Sequence, residues 1–188
     1  MDERTERRLI ERAKDGDSKA FETLMESSQD KVFRLAYRVT GCHDGAENVT
    51  QDVFLQAYRS LPRFRNDCRF STWLHVITMR KAIDWCRDST AERRTLHISD
   101  WSNPGVKNPK PGVDPVQIAQ KQELEETLNE AIATLPPNQR AALALVVQEG
   151  HSYKDAADML NCSVGTVAWR VWNARRLLKD MLESYLRP

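Results

Sequence analysis

Residues 150–179 read GHSYKDAADMLNCSVGTVAWRVWNARRLLK, and this stretch decides the fold of the chain's C-terminal part. Ser152 suits a helix N-cap, and Asp155 three residues on completes a capping-box-like pattern. Tyr153, Ala156, Ala157 and Leu160 recur at helical spacing as one buried stripe. Asn161 follows the last apolar position, and asparagine tolerates the left-handed conformation that ends a helix. Ser163 caps a second helix whose apolar positions are Val164, Val167, Val171, Ala174 and Leu178. That spacing turns Thr166, Trp169, Arg170 and Asn173 outward, with Arg175 and Arg176 one turn on. Short helix, tight break and second helix with a basic outer face make a helix-turn-helix, the second helix being the reader. From Ser163 to Lys179 there are four basic residues (Arg170, Arg175, Arg176, Lys179) and no acidic one. That bias favours a face for DNA over the solvated side of a plain helical hairpin.

The charge of the whole chain gives no such pull: it is +1 over 188 residues. Its distribution is uneven. Arg59–Arg94 holds nine Lys/Arg against four Asp/Glu, whereas Asp114–Glu130 holds five acidic residues against Lys121 alone. Basic blocks are thus separated by an acidic one. The four cysteines (Cys42, Cys68, Cys86, Cys162) show no CxxC or Cys/His spacing of a zinc site, so reduced thiols are expected. Cys42-His43 is a weak metal or redox signal, and no metal site or cofactor is expected. The N-terminal residues 1–12 are thickly charged, and no apolar run is long enough for a leader or a membrane span. The expected protein is soluble and cytoplasmic.

Upstream, the pattern is helical throughout. Arg4–Lys14 reads as a short charged helix broken at Asp15-Gly16-Asp17. A longer helix from Ser18 carries Ala20, Phe21, Leu24, Met25, Val32, Phe33, Leu35, Ala36 and Val39 and ends at Gly41, with Asp44-Gly45 as the turn. The next, about Ala46–Ser60, buries Ala46, Val49, Val53 and Ala57, with Phe54, Tyr58 and Leu61 beside them. Its other face carries Glu47, Asn48, Gln51 and Asp52, and Pro62 stops it. A further helix capped at Ser71 or Thr72 runs to about Asp88. Ser89–Pro115 is rich in proline and lacks a sustained period, which marks a linker. Then come an acidic helix, Val116–Thr134, a break at Leu135-Pro136-Pro137, and a helix over about Asn138–Glu149 with Ala141–Val146 as core. The expected fold class is all-α: two small helical domains, 1–90 and 116–188, joined by a flexible linker at 91–115.

Between Arg63 and Arg87, basic residues (Arg63, Arg65, Arg69, Arg80, Lys81) alternate with aromatics (Phe64, Phe70, Trp73, Trp85). Arginines neutralise phosphates and aromatic faces stack on unpaired bases, so this surface suits single-stranded DNA or a flipped base. The alternative is that the tryptophans are core anchors and the arginines solvate the surface. Phe64, between Arg63 and Arg65 in a polar loop, is expected to be exposed. The face Glu47, Asn48, Gln51, Asp52 reads on its own as a solvated helix side. Nothing resembles a catalytic site: no Ser/His/acid set, phosphate-binding glycine loop or carboxylate pair stands out, and His43, His75, His97 and His151 are isolated.

Taken in order, AENVTQDVFLQAYRSLPRF, the arginine-rich loop, STWLHVITMRKAID, the linker and LPPNQRAALALVVQEGHSYKDAADMLNCSVGTVAWRVWNARRLL resemble bacterial sigma factors of the extracytoplasmic-function (ECF) type, in the sigma-70 superfamily. The resemblance spans about Ser18–Leu182. It implies a promoter-specificity subunit without enzymatic activity, with core RNA polymerase, promoter DNA and an anti-sigma factor as partners. Glu47, Asn48, Gln51, Asp52 and Phe54 match the positions that bind the polymerase clamp helices. Arg63, Phe64, Arg65, Arg69, Trp73, Arg80, Lys81 and Asp84 match the part that captures and melts the −10 element, which implies stacking of Phe64 on a non-template base. Ser163, Thr166, Trp169, Arg170, Asn173, Arg175 and Arg176 match the −35 reader, and the linker matches the segment that threads the polymerase. Two departures stand out. Met79-Arg80 replaces the family's common Arg-Asn pair, trading amide readout of a base edge for an arginine. Trp169 and Trp172 replace smaller or polar residues, Trp172 packing inward or facing out with Trp169. The rival reading is a dimeric helix-turn-helix regulator that acts without being a polymerase subunit.

Overall fold

The structure is a computed structural model, and it describes residues 2–92, 124 and 127–186. Every regular element among them is a helix. Helix α1 (Glu3–Lys14) is capped by Asp2, whose carboxylate accepts from the Thr5 amide at 2.8 Å. Asp17 caps α2 (Ser18–Thr40) and also pairs with Arg12 at 2.6 Å, tying α1 to the start of α2. Gly41, at φ 75°, ends α2 in the left-handed region that an L side chain disfavours. Helix α3 (His43–Ser60) begins two residues later, so Asp44-Gly45 lies inside α3 rather than in a turn. The glycine has a packing reason: a Cβ on Gly45 would sit 2.5 Å from the ring of Trp85. A short 3-10 turn, Leu61–Arg63, follows, and α4 (Phe70–Glu92) starts slightly before and runs past its expected bounds.

Helices α2, α3 and α4 pack together as the N-terminal body, with α1 laid along α2. Ala46, Val49, Val53 and Ala57 form the expected buried stripe of α3, against Leu24, Leu35, Val39, Leu74 and Ile83. Of the expected linker 91–115, residues 91 and 92 belong to α4 and the rest lie outside the described residues. Of the acidic helix, 124 and 127–134 are described, all helical; residues 127–134 are termed α5.

Helix α6 (Pro137–Leu143) starts at the proline and passes into one wide π-helical turn over 144–148, replacing a regular helix to Glu149. The helix-turn-helix follows as α7 (Tyr153–Met159) and α8 (Val164–Leu186). Ser152 caps α7 through the Asp155 amide at 3.1 Å, and Ser163 caps α8 through the Thr166 amide at 3.1 Å. Asn161 is left-handed at φ 47°, and Ala156, Ala157, Val167, Val171 and Ala174 are buried. Two stripe positions differ: Tyr153 and Val164 sit in the first turns of their helices, beyond the reach of the opposing helix, and are exposed. A separate small cluster of Ile132, Leu135, Leu143 and Ala174, with Leu177 and Leu178 against it, joins α5, α6 and α8.

The two bodies touch. Residues of α6, α7 and α8 share one buried cluster with α2 and α4. Polar groups join them: Arg38 pairs with Glu149, the Arg140 guanidinium donates to Cys86 Sγ at 3.8 Å, and the rings of His75 and His151 meet edge to face at 5.7 Å. Arg140 also donates to the Ala133 carbonyl at 3.2 Å. The burial of an arginine at this seam was not legible from charge pattern.

Phe64 corrects an expectation. It is only 6% exposed, not a free stacking platform. Its ring lies 4.8 Å from that of Trp73 and 6.2 Å from that of Phe70, while the flanking Arg63 and Arg65 point into solvent. The loop is polar because residues 65–69 all face out; the aromatics at its ends, Phe64 and Phe70, form a small core with Trp73. Phe64→Ala should therefore lower unfolding free energy by about 3 kcal/mol, and Phe64→Leu by clearly less. Denaturant unfolding checks both, and unchanged stability of the alanine variant would contradict the packing.

Burial, with His151 and Lys31 nearby, pushes the His75 imidazole down from 6.5 to about 4. Between those values the unfolded chain binds a proton that the folded chain refuses, so stability must rise with pH across this window and fall as pH drops through it. His75→Gln should flatten the pH dependence of the melting temperature between about pH 6.5 and 4, relative to the parent chain.

Candidate functional site

Among the described residues the fold exposes three faces, each set by which side of a helix the core leaves free. The first belongs to α3. Burial of the Ala46-Val49-Val53-Ala57 stripe turns Glu47, Asn48, Gln51 and Asp52 to solvent. Phe54, in the same candidate set, is largely buried and shows only its edge. That edge lines a shallow apolar groove of about 470 Å³ with Phe21, Met25, Thr50, Leu55 and Tyr58. Leu55 and Tyr58 are 56% and 52% exposed, which is unusual for such side chains and makes this face half apolar. Tyr58 is fixed by an edge-on contact with Phe21 at 5.1 Å between centroids. The helical period alone placed Tyr58 beside the buried face; the exposure of Leu55 and Tyr58 was missed. The signal available was spacing: Leu55 lies four residues after Gln51 and three after Asp52, in the middle of the face read as polar, and Tyr58 follows it by three.

The second face is the loop 64–69 with the start of α4. Arg63, Arg65 and Arg69 are exposed, Trp73 is half-buried and Arg80 is exposed. Met79 is fully buried, so of the Met79-Arg80 pair only the arginine is available to a ligand. Lys81 reaches Asp52 of α3 at 3.6 Å, and Asp84 reaches Arg87 at 3.7 Å. Both pairs are well exposed and weak, so each cation stays available for an anionic partner. The Lys81–Asp52 pair brings the first and second faces edge to edge.

The third face is α8. Trp169 and Trp172 are 57% and 60% exposed, which settles the question over Trp172: it faces out. The Arg176 guanidinium lies 5.7 Å from the centroid of the Trp172 ring and donates to Asn173 Oδ1 at 3.0 Å. Arg170 is half-buried, with Nη1 3.6 Å from Cys162 Sγ in the turn. Ser163 and Thr166 share a hydroxyl hydrogen bond of 2.8 Å at the helix start. Together they make one continuous strip of donors and flat rings along the first three turns of α8, with Arg175 exposed at its edge. A major groove accepts a helix with such a strip, N-terminal residues first.

Of the cysteines, Cys42 and Cys162 are partly buried, Cys68 is exposed and Cys86 is buried. Among the described residues no group of three or more His, Cys, Asp or Glu side chains is placed to hold a metal ion, and no helix is long and apolar enough to cross a membrane.

Comparison with known proteins gives these faces a common frame. Residues 24–92 match sigma-70 region 2, and residues 125–178 match sigma-70 region 4. The ECF RNA polymerase sigma-E factor of Haemophilus influenzae is 34% identical, over 98% of this chain and 96% of its own length. The RNA polymerase sigma-H factor of Pseudomonas aeruginosa is 32% identical, over 97% and 96%. The fold is similar to that of the sigma factor RpoE of Bartonella quintana, solved in complex with the anti-sigma factor NepR (TM-score 0.63, 24% identity, 88% of this chain and 98% of that one). With region 2 carrying the first two faces, region 4 the third, and near full-length identity above 30%, the chain belongs to the ECF type of sigma-70 factors.

Proposed function

We propose that this protein binds core RNA polymerase through the α3 face, melts the −10 element with the loop 64–69 and α4, and reads the −35 element as duplex with α8. The observation that carries the reading is the separation of work between faces. A half-apolar, acidic-polar face suits a protein partner, and two basic faces, one with the half-buried Trp73 and one with the exposed Trp169 and Trp172, suit nucleic acid. Glu47, Asn48, Gln51 and Asp52 supply polar contacts to the polymerase, with Leu55 and Tyr58 as the apolar anchors and Phe54 as the floor of the groove. Arg63, Arg65, Arg69, Arg80 and Lys81 neutralise the phosphates of the unpaired strand, Trp73 offers the partly open ring, and Asp84 marks the far end of this surface. Ser163, Thr166, Trp169, Arg170, Asn173, Arg175 and Arg176 form the −35 reader.

The protein then acts by binding, with no catalysis of its own: unstacking of −10 bases, a few kcal/mol per step, is offset by phosphate and ring contacts. It works in the cytoplasm, where the polymerase is. The Bartonella RpoE was solved with an anti-sigma factor; we extend that mode of control to this chain, with the α3 groove as one surface such a partner would cover. The domains are taken as 1–90, with a linker at 91–115, and 116–188.

Run-off transcription with purified core polymerase on genomic promoter fragments tests the reading, and initiation that depends on adding this chain is the expected outcome. Tight operator binding by a dimer without any core-dependent initiation would favour the helix-turn-helix regulator instead. Asp52→Arg should weaken competition for core polymerase at unchanged helicity. Arg170→Ala should cost about 1–3 kcal/mol on the cognate −35 duplex if the guanidinium meets a base edge. Should it meet phosphate only, affinity falls evenly over sequences and the salt slope flattens by about one unit. Titrations against mutated −35 duplexes at two salt concentrations separate the two outcomes.

A further inference from the structure

Helix α1 precedes region 2, and the proposed function assigns it nothing, yet it touches the loop 64–69 and the first residue of α4 at three points. Asn66 Nδ2 donates to Glu11 Oε1 at 2.9 Å. The backbone N–H of Phe70, at the first residue of α4, points to Glu6 Oε1 at 3.4 Å. Lys14 Nζ sits 6.0 Å from the centroid of the Phe64 ring and 3.0 Å from Glu11 Oε1. Glu11 and Asn66 are 55 residues apart, so nothing local brings them together.

Asn66 is also where the loop's backbone is least ordinary. Its φ is 60°, left-handed, one of two such non-glycine residues described. Asparagine tolerates that conformation better than most residues but does not prefer it, so an exposed loop holds it only with help. Glu11 supplies the help. Its carboxylate, which accepts from both Lys14 and Asn66, is held below the usual range and stays charged. The helix that carries it is itself fixed: Ile10 and Ala13 are buried in the core, and Arg12 is tied to Asp17 at the cap of α2. Glu11 is therefore delivered to one place, and Asn66 is pinned there. Arg65 precedes the pinned residue and Arg69 lies three residues beyond it, so where their exposed guanidinium groups start is set by this turn. A carboxylate has no use as a direct ligand for a phosphate strand; its value here is geometric.

We propose that Glu11 is a positioning residue for −10 recognition: through Asn66 it fixes the left-handed turn that aims Arg65 and Arg69 at the unpaired strand. This rests on the reading of the loop as the −10 surface. Pre-ordering of the turn removes an ordering cost at binding, which sets the size of effect to expect.

The test uses holoenzyme assembled from core polymerase and the full chain, with a fork template from a promoter that it transcribes, the −10 non-template strand left single. Glu11→Ala should weaken fork binding roughly three- to tenfold, with core affinity and melting temperature unchanged. Glu11→Gln keeps an acceptor for Asn66 and should bind nearly as the parent does. Asn66→Ala removes the same hydrogen bond and also the residue that tolerates φ 60°, so it should weaken fork binding at least as much as Glu11→Ala, and adding Glu11→Ala to it should weaken binding no further. If loss of negative charge near DNA were all that mattered, both Glu11 variants would bind more tightly and alike, and the proposal would be wrong. A melting temperature lowered in step with fork binding would overturn it too, making the contact a support of the fold. Parent-like binding by Glu11→Ala, while Arg65→Ala and Arg69→Ala bind weakly, would overturn the positioning role alone. Parent-like binding by the two arginine variants would overturn the reading of the loop, and the positioning role with it.

Discussion

Close approach of α2, α3 and α4 is the constraint on which the rest of the N-terminal body depends. It is possible because the inner face of α3 is built from small or β-branched residues, Gly45, Ala46, Val49, Val53 and Ala57, each buried. Alanine and glycine let the Trp85 ring lie directly on the α3 backbone, and the valines fill the remaining gap without long side chains. Once that stripe faces inward, the helical period leaves no freedom to Glu47, Asn48, Gln51 and Asp52, which must face water or a partner. The groove beside them has the same origin: Phe21 and Phe54 are too large to be swallowed whole where α2 and α3 diverge, so their edges remain open to Leu55 and Tyr58.

Much of this was legible in the sequence wherever a short-range rule operated. Caps at Ser152 and Ser163, the left-handed stop at Asn161, the glycine stop at Gly41 and the valine stripe of α8 are all local chemistry, and periodicity gave the right faces. Failures occur where a contact spans many residues. Gly45 reads as a turn signal until Trp85, forty positions on, is seen against it. Phe64 reads as exposed because its neighbours are arginines, but Phe70 and Trp73 return through α4 to cover it. Leu55 and Tyr58 carry apolar side chains to the surface because they share the face of Gln51 and Asp52, opposite the core stripe, and composition alone marks them as core.

The exposure of Trp169 and Trp172 has a physical reading of its own. Two large rings within one turn of α8 leave an apolar patch on the surface that adds nothing to folding stability. Arg176 partly shields Trp172 by lying over its ring, while Trp169 stays more than half exposed. A helix held by Val167, Val171 and Ala174 on its inner side needs neither ring for stability. On the proposed reading of α8 as the −35 reader, the rings would supply contact area to sugars and thymine methyl groups, and the guanidinium groups direction.

The seam between the two bodies differs in kind from the core of either. Inside the N-terminal body the buried side chains are almost wholly apolar, whereas the seam holds Arg38, Glu149, Arg140, His75 and His151. His75 Nδ1 and His151 Nε2 are buried without a hydrogen-bond partner, and so is Gln139 Oε1. Each such atom gives up hydration and recovers no bond, at roughly 1–3 kcal/mol apiece. The apolar gain from Ala141, Ala142, Leu145 and Met159 against α2 and α4 is thus opposed at the seam in a way it is not within a bundle. Separation there would rehydrate both imidazoles but expose Ala141, Ala142, Leu145 and Met159, while separation of α3 from α2 would expose the whole Ala46–Ala57 face. The seam is thus the more polar of these two boundaries, and it lies between the body with the two region 2 faces and the body that carries α8.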